Sequence, residues 1–293
     1  MSAGISRRAA VLLGLGVLLA GCRKKAKVAP QGPRVVALSP AVAIMLRDLD
    51  LAGVVVGRHG YDMVLPESLP VCGNQLGVDY ERLIEADPTH VVTEWGASGP
   101  PEKLRVLAAE RGWKLHDASM RTLADIRREV ESLERFVTGD AVKSSELISR
   151  MDAAWSRQDR ELAKAGRVLM LAEMAPPAAL GPGSFHYEIL ASLGGASAIT
   201  EGGPYQSLTL EQISLLKPDA IVLVLPRAPK DPSLEGDAEA VRRALGKIAE
   251  LEVPAVREGR VALIDDPLAQ TPSTAMIAFS DRLHGLLAEW AKR

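Results

Sequence analysis

Two glutamates occupy matching places in two similar segments of the sequence. Residues 77–92 read GVDYERLIEADPTHVV, and residues 207–222 read SLTLEQISLLKPDAIV. In each segment a glutamate, Glu81 or Glu211, is followed seven residues later by a proline and then by an apolar run. Each glutamate falls in the first turn of a predicted helix, where the helix dipole stabilises a carboxylate. The pair indicates either two helix starts inherited by duplication or two carboxylates presented to a cationic partner.

Histidines are the second group of residues that could do chemistry. Of the five histidines in the chain, His59 and His186 follow predicted strands or turns in opposite halves of the molecule. With Glu173 and Asp266 they would give a histidine and carboxylate set of the kind that binds zinc or manganese. The sequence shows no His-rich loop, and a free metal site therefore stays an alternative interpretation.

Motifs of common enzymes are missing from the sequence after residue 22. It contains no G-x-S-x-G, Walker A, H-E-x-x-H or C-x-x-C pattern. Apart from Cys22, the only cysteine is Cys72, which cannot form an internal disulfide and which we expect in a partly buried loop. These observations favour a binding protein over an enzyme.

The first residues have the pattern of an export signal. Two arginines precede an apolar run at 9–20 that is too short to span a bilayer, and the run leads into the sequence LAGC. This resembles the lipobox of bacterial lipoproteins, in which the cysteine is acylated and becomes the mature N-terminus. We therefore predict a signal peptide at 1–21, a lipid on Cys22 that anchors the protein in the cell envelope, and a flexible tether at 22–32.

Strands and helices alternate through the remainder of the chain. Predicted strands lie at residues 34–38, 54–57, 89–95, 113–117, 167–174, 219–226 and 260–266. Helical patterns lie between them, and this alternation predicts an α/β fold with parallel sheets covered on both faces. The plan occurs twice, at 33–138 and at 167–293, so we predict two similar lobes with a ligand cleft between them.

Residues 139–166 join the two predicted lobes. Apolar residues recur there at helical spacing, and the segment contains neither proline nor, between its end residues, glycine. A single helix of this length would be about 40 Å long. We predict one long linking helix that restricts the movement of the lobes.

Composition excludes some partners. The 293-residue chain has a net charge of −2, and 47% of its residues are apolar, which are ordinary values for a globular protein. It has no basic excess, so nucleic acid is not an expected partner. Aromatic residues make up only 4%, so each aromatic in a predicted loop is a candidate ligand contact. We expect a monomer.

Several segments resemble the class III substrate-binding proteins of ABC importers, which include vitamin B12, siderophore and haem binders. They are RVVALSPAVAIMLRDLDLAGVVVGRHGYD, VDYERLIEADPTHVV, GPGSFHYEILASLGGASAI, LEQISLLKPDAIVLV and VPAVREGRVALIDD. The resemblance implies two lobes joined by a helix, no enzymatic activity and no covalently bound cofactor. It implies capture of a metal chelate, with cobalamin or another corrinoid first and a ferric siderophore or haem next. It also implies delivery to a permease dimer with ATPase subunits, on whose arginines Glu81 and Glu211 would dock.

The ligand of such a protein is expected between the lobes, over the carboxyl ends of the strands. The resemblance places Tyr61 at a ligand-touching tyrosine of the vitamin B12 binders and Trp95 beside one of their cleft tryptophans. Gln270 stands where those proteins have an arginine. The loops that leave the strand ends complete the candidate set, which is Ser39, Pro40, Tyr61, Trp95, Phe185, Asp266 and Pro267. Two alternatives remain, a haem ligated by Tyr61 or His186 and a scaffold lipoprotein that has lost its importer.

Overall fold

The structure is a computed structural model that describes residues 32–74, 76–140 and 143–293. Within these ranges, Pro33–Arg293 form one compact unit. The predicted signal peptide, the lipid on Cys22 and all but the last residue of the predicted tether lie outside the described residues. Among the helices of the described ranges, none is both long enough and apolar enough to cross a membrane.

The N-lobe sheet has six strands. They are β1 (Val35–Ala37), β2 (Val55–His59), β3 (Val71–Asn74), β4 (Gly77–Val78), β5 (His90–Thr93) and β6 (Lys114–Asp117). Their order is β4-β3-β2-β1-β5-β6, and all neighbours are parallel except β3 and β4. The helices of this lobe are α1 (Pro40–Asp48), α2 (Tyr80–Ala86), α3 (Glu102–Arg111) and α4 (Leu123–Thr138). Val35 and Ala37 pack into one core and Val36 into another, so the sheet is covered on both faces.

The C-lobe sheet repeats this plan with more antiparallel pairing. Its strands are β7 (Arg167–Met174), β8 (Pro177–Leu180), β9 (Ala196–Ser197), β10 (Tyr205–Ser207), β11 (Ala220–Val224) and β12 (Val261–Ile264). The order is β10-β8-β7-β11-β12, with β9 beside the start of β7, and β8 is antiparallel to both its neighbours. Its helices are α6 (Phe185–Ser192), α7 (Leu210–Leu216), α8 (Ala238–Leu245), α9 (Pro254–Arg257) and α10 (Met276–Trp290). The predicted two-lobed α/β fold is confirmed.

The two similar sequence segments fold into the same local structure. Helices α2 and α7 are both seven residues long, and their N-caps, Asp79 and Thr209, accept a hydrogen bond from a backbone N–H of the first turn. Each helix ends at a left-handed residue, Asp87 with φ 48° and Lys217 with φ 47°. A proline follows in both copies and prevents the helix from continuing.

The connection between the lobes differs from the predicted single helix at 139–166. It contains α5 (Ser144–Trp155) and, after a break, a short 3₁₀-helix (Arg160–Ala165). At the break, Gln158 has φ 45°. Its backbone N–H donates to the carbonyl of Ser192 at 3.0 Å. The helix stops because the backbone N–H groups of Gln158 and Asp159 bond to carbonyls at the end of α6, instead of to carbonyls of the preceding turn of α5.

A shared core joins the lobes instead. Helix α5 packs on α4 and α10, and α4 also packs on α1 and α6. One apolar cluster contains residues of both lobes, including Met45 of α1 and Leu287 of α10. At the start of α4, the N–H of Leu123 donates to the carboxylate of Glu188 on α6 at 2.9 Å. These contacts join the lobes without one long helix, and the restriction of lobe movement stays a prediction.

Candidate ligand-binding site

A pocket of about 310 Å³ opens where the N-lobe strands end. It lies at the carboxyl ends of β1, β2, β3 and β5, the edge at which open α/β sheets bind ligands. We call it the N-lobe pocket, and its lining residues are Leu38, Ser39, Pro40, His59, Asn74, Glu94 and Trp95. Of the predicted ligand-binding residues, it brings together Ser39, Pro40 and Trp95.

Ser39 organises the pocket. Its hydroxyl oxygen accepts the N–H groups of Ala41 at 3.1 Å and Val42 at 3.3 Å, which caps α1, and Pro40 takes the first helical position. Its hydroxyl proton is donated to Oε2 of Glu94 at 2.6 Å. Because these internal bonds occupy the hydroxyl, Ser39 orients Glu94 rather than serving as the main contact for a ligand.

Glu94 is a site residue that the sequence analysis missed. Burial raises the pKa of its carboxyl group, the hydrogen bond from Ser39 opposes this shift, and the nearby carboxylates of Asp117 and Glu129 add to it. The predicted strand included Glu94, whereas β5 ends at Thr93. The sequence does carry a signal for Glu94, because a charged residue after an apolar run marks the end of a strand. A carboxyl group at that position lies at the carboxyl-end edge of the sheet, where the pocket opens.

His59 and Asn74 supply hydrogen-bond donors to the pocket. Nδ1 of His59 accepts the N–H of Tyr61 at 3.1 Å, so Nε2 carries the proton of the neutral ring. Burial lowers the pKa of His59, and the carboxylate of Asp62 opposes the shift. Oδ1 of Asn74 accepts the N–H of Leu76 at 2.8 Å, which leaves the NH₂ group of Asn74 as a donor.

Trp95 and Tyr61 provide aromatic surface at this edge. Trp95 is half-buried, and its backbone N–H donates to the carboxylate of Asp117 at 2.8 Å. Tyr61 is 58% exposed, and its ring centroid lies 5.7 Å from that of His59. Tyr61 therefore stands beside the N-lobe pocket rather than in its wall, where it can meet a ligand larger than the pocket.

Of the C-lobe candidates, Asp266 lines a different and smaller cavity, whereas Phe185 and Pro267 do not line it. This cavity has a volume of about 180 Å³, and its lining includes Asp266 and Ala269. The carboxylate of Asp266 accepts the N–H of Leu268 at 2.8 Å and so holds the turn that contains Pro267. Phe185 packs partly against the core, which leaves only part of its ring for a ligand.

The loop after β12 is fixed by two side chains from within the C-lobe. His186 is 1% exposed, and its Nε2 lies 2.7 Å from the carbonyl oxygen of Ala269. The amide nitrogen of Gln270 donates to the carbonyls of Ala172 at 3.0 Å and Val224 at 2.7 Å. Where the resemblance implies an arginine, this chain therefore uses Gln270 to close the ends of β7 and β11.

The predicted histidine and carboxylate set is not assembled. In the part of the chain that the structure describes, no group of three or more His, Cys, Asp or Glu residues is placed to hold a metal ion. His186 bonds to a backbone carbonyl, and the carboxylate of Glu173 accepts the hydroxyl of Tyr205. The structure therefore does not support a zinc or manganese site from these residues with His59 and Asp266, nor His186 as a haem ligand.

Cys72 lies in β3 rather than in a loop. It is fully buried, and a Cβ atom added to Gly57 would come within 2.5 Å of its sulfur. Burial, with a smaller contribution from Asp79, raises the pKa of the thiol to about 11. Since the thiolate is the reactive form, Cys72 is a packing residue.

Glu81 and Glu211 are both exposed at the second position of their helices. Neither side chain has a hydrogen bond or an ion pair to another described residue. A groove of about 590 Å³ beside Glu81 is lined in part by Ile84 and Val106. A second groove, of about 400 Å³ and next to α7, includes the exposed Leu215. Glu81 thus borders apolar surface, and α7, the helix of Glu211, contributes Gln212, Leu215 and Leu216 to the second groove.

Comparisons with known proteins extend these observations. A comparison with protein-family models found no match, and a comparison with curated protein sequences found none. Among solved structures, the periplasmic vitamin B12 binding protein BtuF of Vibrio cholerae is similar at 18% identity and a TM-score of 0.65, with 89% of this chain and 99% of that chain covered. The periplasmic heme-binding protein RhuT from Roseiflexus sp. RS-1 is similar at 22% identity and a TM-score of 0.66, with coverages of 89% and 99%.

A substrate-binding protein of an ABC transporter from Listeria monocytogenes EGD-e matches equally well. It is 18% identical with a TM-score of 0.66, and the alignment covers 88% of this chain and 100% of that chain. At these identities the likeness concerns the fold. The resemblance seen in the sequence is thus confirmed at that level: the chain has the two-lobed α/β fold of the periplasmic binding proteins.

Proposed function

We propose that this protein is the substrate-binding component of an ABC importer and that it captures a metal chelate. The proposal rests chiefly on the N-lobe pocket, which lies where open α/β sheets bind ligands and has Trp95 in its wall and Tyr61 beside it. Aromatic faces suit a flat, partly apolar macrocycle. The same fold serves vitamin B12 and heme binding in the proteins compared above. Cobalamin or another corrinoid is the first candidate, followed by a ferric siderophore or haem.

The anchor and the tether would keep the binding unit near its importer. In this proposal the acylated Cys22 is held at a membrane of the cell envelope, outside the cytoplasm. The protein itself performs no catalysis in this scheme, and the ATPase subunits of the importer drive transport.

Glu81 and Glu211 are the proposed docking residues for the permease dimer. Both carboxylates are exposed and at equivalent helix positions; Glu81 lines an apolar groove, and the residue after Glu211, Gln212, lines another. One carboxylate per lobe suits a symmetric partner with one cationic site per subunit, because charge complementarity sets the register of a complex. The adjoining apolar surface would add buried area to the contact.

A titration of residues 33–293 tests the proposed function, because this range forms the compact unit. Cyanocobalamin, haemin and a panel of ferric siderophores would be added in turn, with binding followed by calorimetry and tryptophan fluorescence. Trp95 lines the pocket, whereas Trp113, Trp155 and Trp290 are buried in the cores. We expect sub-micromolar binding of one chelate.

The variant Trp95→Phe serves as the control for the site of binding. It should weaken the chelate and remove part of the fluorescence change, because the indole lies in the wall of the pocket. Calorimetry separates the loss of affinity from the loss of the fluorophore. If no chelate binds to the unaltered protein, the importer proposal is overturned in favour of a scaffold that has kept the fold.

A further inference from the structure

Three polar side chains of the N-lobe pocket have complementary hydrogen-bonding capacity. Glu94 bonds to Ser39 through Oε2, which leaves Oε1 as an acceptor. His59 and Asn74 each retain an N–H donor, because Nδ1 of the ring and Oδ1 of the amide already accept backbone N–H groups. A primary amide carries two N–H donors and one carbonyl acceptor. The pocket therefore offers an acceptor for the NH₂ group of a carboxamide and donors for its carbonyl oxygen.

We propose that the N-lobe pocket binds a neutral carboxamide arm of the chelate and that Glu94 excludes a carboxylate arm. The NH₂ group of the arm would donate to Glu94, and its carbonyl would accept from His59 or Asn74. This inference rests on the proposed function and narrows its ligand class. At about 310 Å³ the pocket is near the lower end of ligand-site volumes, so it takes an arm of a tetrapyrrole-sized ligand rather than the ring.

The charges around the pocket oppose an anionic arm. Asp117 and Glu129 lie close enough to Glu94 to raise its pKa, so three carboxyl groups share this region. None of the described residues that line the pocket is Lys or Arg. The guanidinium group of Arg58 points instead to the backbone carbonyls of His59 and Glu67, each at 3.4 Å. A carboxylate placed here would lose water and find no lysine or arginine among the described lining residues to replace it.

This preference separates the three candidate ligand classes. Haem carries two propionate carboxylates, and ferric catecholate siderophores carry net negative charge. The periphery of a corrinoid carries several primary amides. A carboxamide pocket with a carboxyl group in its wall therefore favours a corrinoid over haem and over the catecholate siderophores by both attraction and repulsion.

The test compares cyanocobalamin with its monocarboxylic acids, in each of which one peripheral amide has been hydrolysed. Calorimetry would measure the affinity of each of these ligands, and of haemin, for residues 33–293 of the unaltered protein and of the Glu94→Gln variant. For the unaltered protein we expect cyanocobalamin to bind about tenfold more tightly than at least one monocarboxylic acid, and more tightly than haemin. Glu94→Gln should weaken cyanocobalamin and strengthen that acid, so that the two affinities differ by less than about threefold. The Ser39 hydroxyl would keep the single amide oxygen of the glutamine, which leaves its NH₂ group to donate to a carboxylate arm.

The variant Glu85→Gln is the matched control, since it removes an exposed carboxylate of the same lobe on α2, and it should leave the discrimination unchanged. Thermal unfolding would establish that Glu94→Gln is folded. If cyanocobalamin binds but no acid is discriminated against, or if Glu94→Gln leaves the discrimination intact, the carboxamide inference is overturned and the importer proposal stands. Tighter binding of haemin than of cyanocobalamin would also overturn the carboxamide inference and leave the importer proposal standing. If the unaltered protein binds no chelate, both proposals fail.

Discussion

At the residue scale, side-chain hydrogen bonds hold the loops at the carboxyl ends of the strands in both lobes. Ser39 caps α1 and orients Glu94, while His186 and Gln270 fasten the loop after β12. Such bonds fix the loops before a ligand arrives, which lowers the ordering cost of binding. The most buried of these groups also has a measurable consequence for stability.

His186 should make the folded protein sensitive to acid. Burial lowers the pKa of its ring to about 4, and the hydrogen bond to Ala269 opposes the shift. Between pH 6.5 and 4 the unfolded chain binds more protons at this residue, so the free energy of unfolding falls as the pH falls. The loss should be on the order of 3 kcal/mol over this interval.

Urea denaturation of residues 33–293 at several pH values would measure this loss. His186→Gln removes the titrating ring, so the decline in stability between pH 6.5 and 4 should become shallower by that amount. A uniform loss of stability in the variant has no bearing on the prediction, because the slope is the readout. Equal slopes in the two proteins would contradict it.

Some site residues could be predicted from sequence, and others depend on packing that a sequence does not display. Ser39 and Pro40 were identified because they follow a predicted strand, and Trp95 because the family resemblance placed it beside a cleft tryptophan; the structure brings all three to one pocket. Asn74 was missed because β3 is short, contains Gly73 and has no long apolar run. Glu94 was missed because its role follows from its bond to Ser39, which lies 55 residues away in the chain.

At the element scale, the strands with strong apolar runs were predicted and the weak ones were not. Strand β7 was predicted with its observed bounds, whereas β8 begins with Pro177 and contains two alanines, which have low strand propensity. Helix α4 was missed although Ile126, Val130, Leu133 and Val137 follow helical spacing and are buried. The linking segment was predicted as one helix because its break is made by hydrogen bonds to α6. Such long-range bonds leave no proline or glycine at the break by which the sequence would show it.

The start of α5 depends on a buried carboxylate, and this gives a second prediction. Glu134 of α4 is buried, and its two carboxylate oxygens accept the N–H groups of Lys143 at 2.8 Å and Ser144 at 2.7 Å. Glu134→Ala would leave these N–H groups without that acceptor, so we expect a loss of about 2–3 kcal/mol in the free energy of unfolding. Urea denaturation at pH 7 would measure it.

Glu131→Ala is the control for this prediction. Glu131 lies on the same helix but forms an exposed ion pair with Arg135 at 2.8 Å. Its removal should cost less than about 0.5 kcal/mol. Similar losses for the two variants would show that Glu134 does not anchor α5.

At the scale of the whole molecule, the duplicated glutamates predict a separation of binding from delivery. The double variant Glu81→Ala with Glu211→Ala should keep its chelate affinity, because neither residue lines the N-lobe pocket. Uptake by cells that depend on this protein should fall at least about tenfold, since each lobe loses its charged contact with the permease. Calorimetry and transport assays would measure the two quantities separately.

Glu146→Ala is a matched control for the docking prediction, because Glu146 is an exposed glutamate in the first turn of α5 and lines neither groove. It should leave both affinity and uptake close to their original values. The docking role of these glutamates would be contradicted if the double variant showed normal uptake while present in the cell envelope at its usual amount.

The apolar cluster that runs through both lobes predicts how the protein melts. Because Met45 of the N-lobe and Leu287 of the C-lobe belong to one cluster, neither lobe can lose its structure without exposing the core of the other. Calorimetry of residues 33–293 should therefore show a single transition whose van't Hoff and calorimetric enthalpies agree. A bound chelate should raise the temperature of that transition as a whole, whereas two resolved transitions would mean that the lobes melt independently.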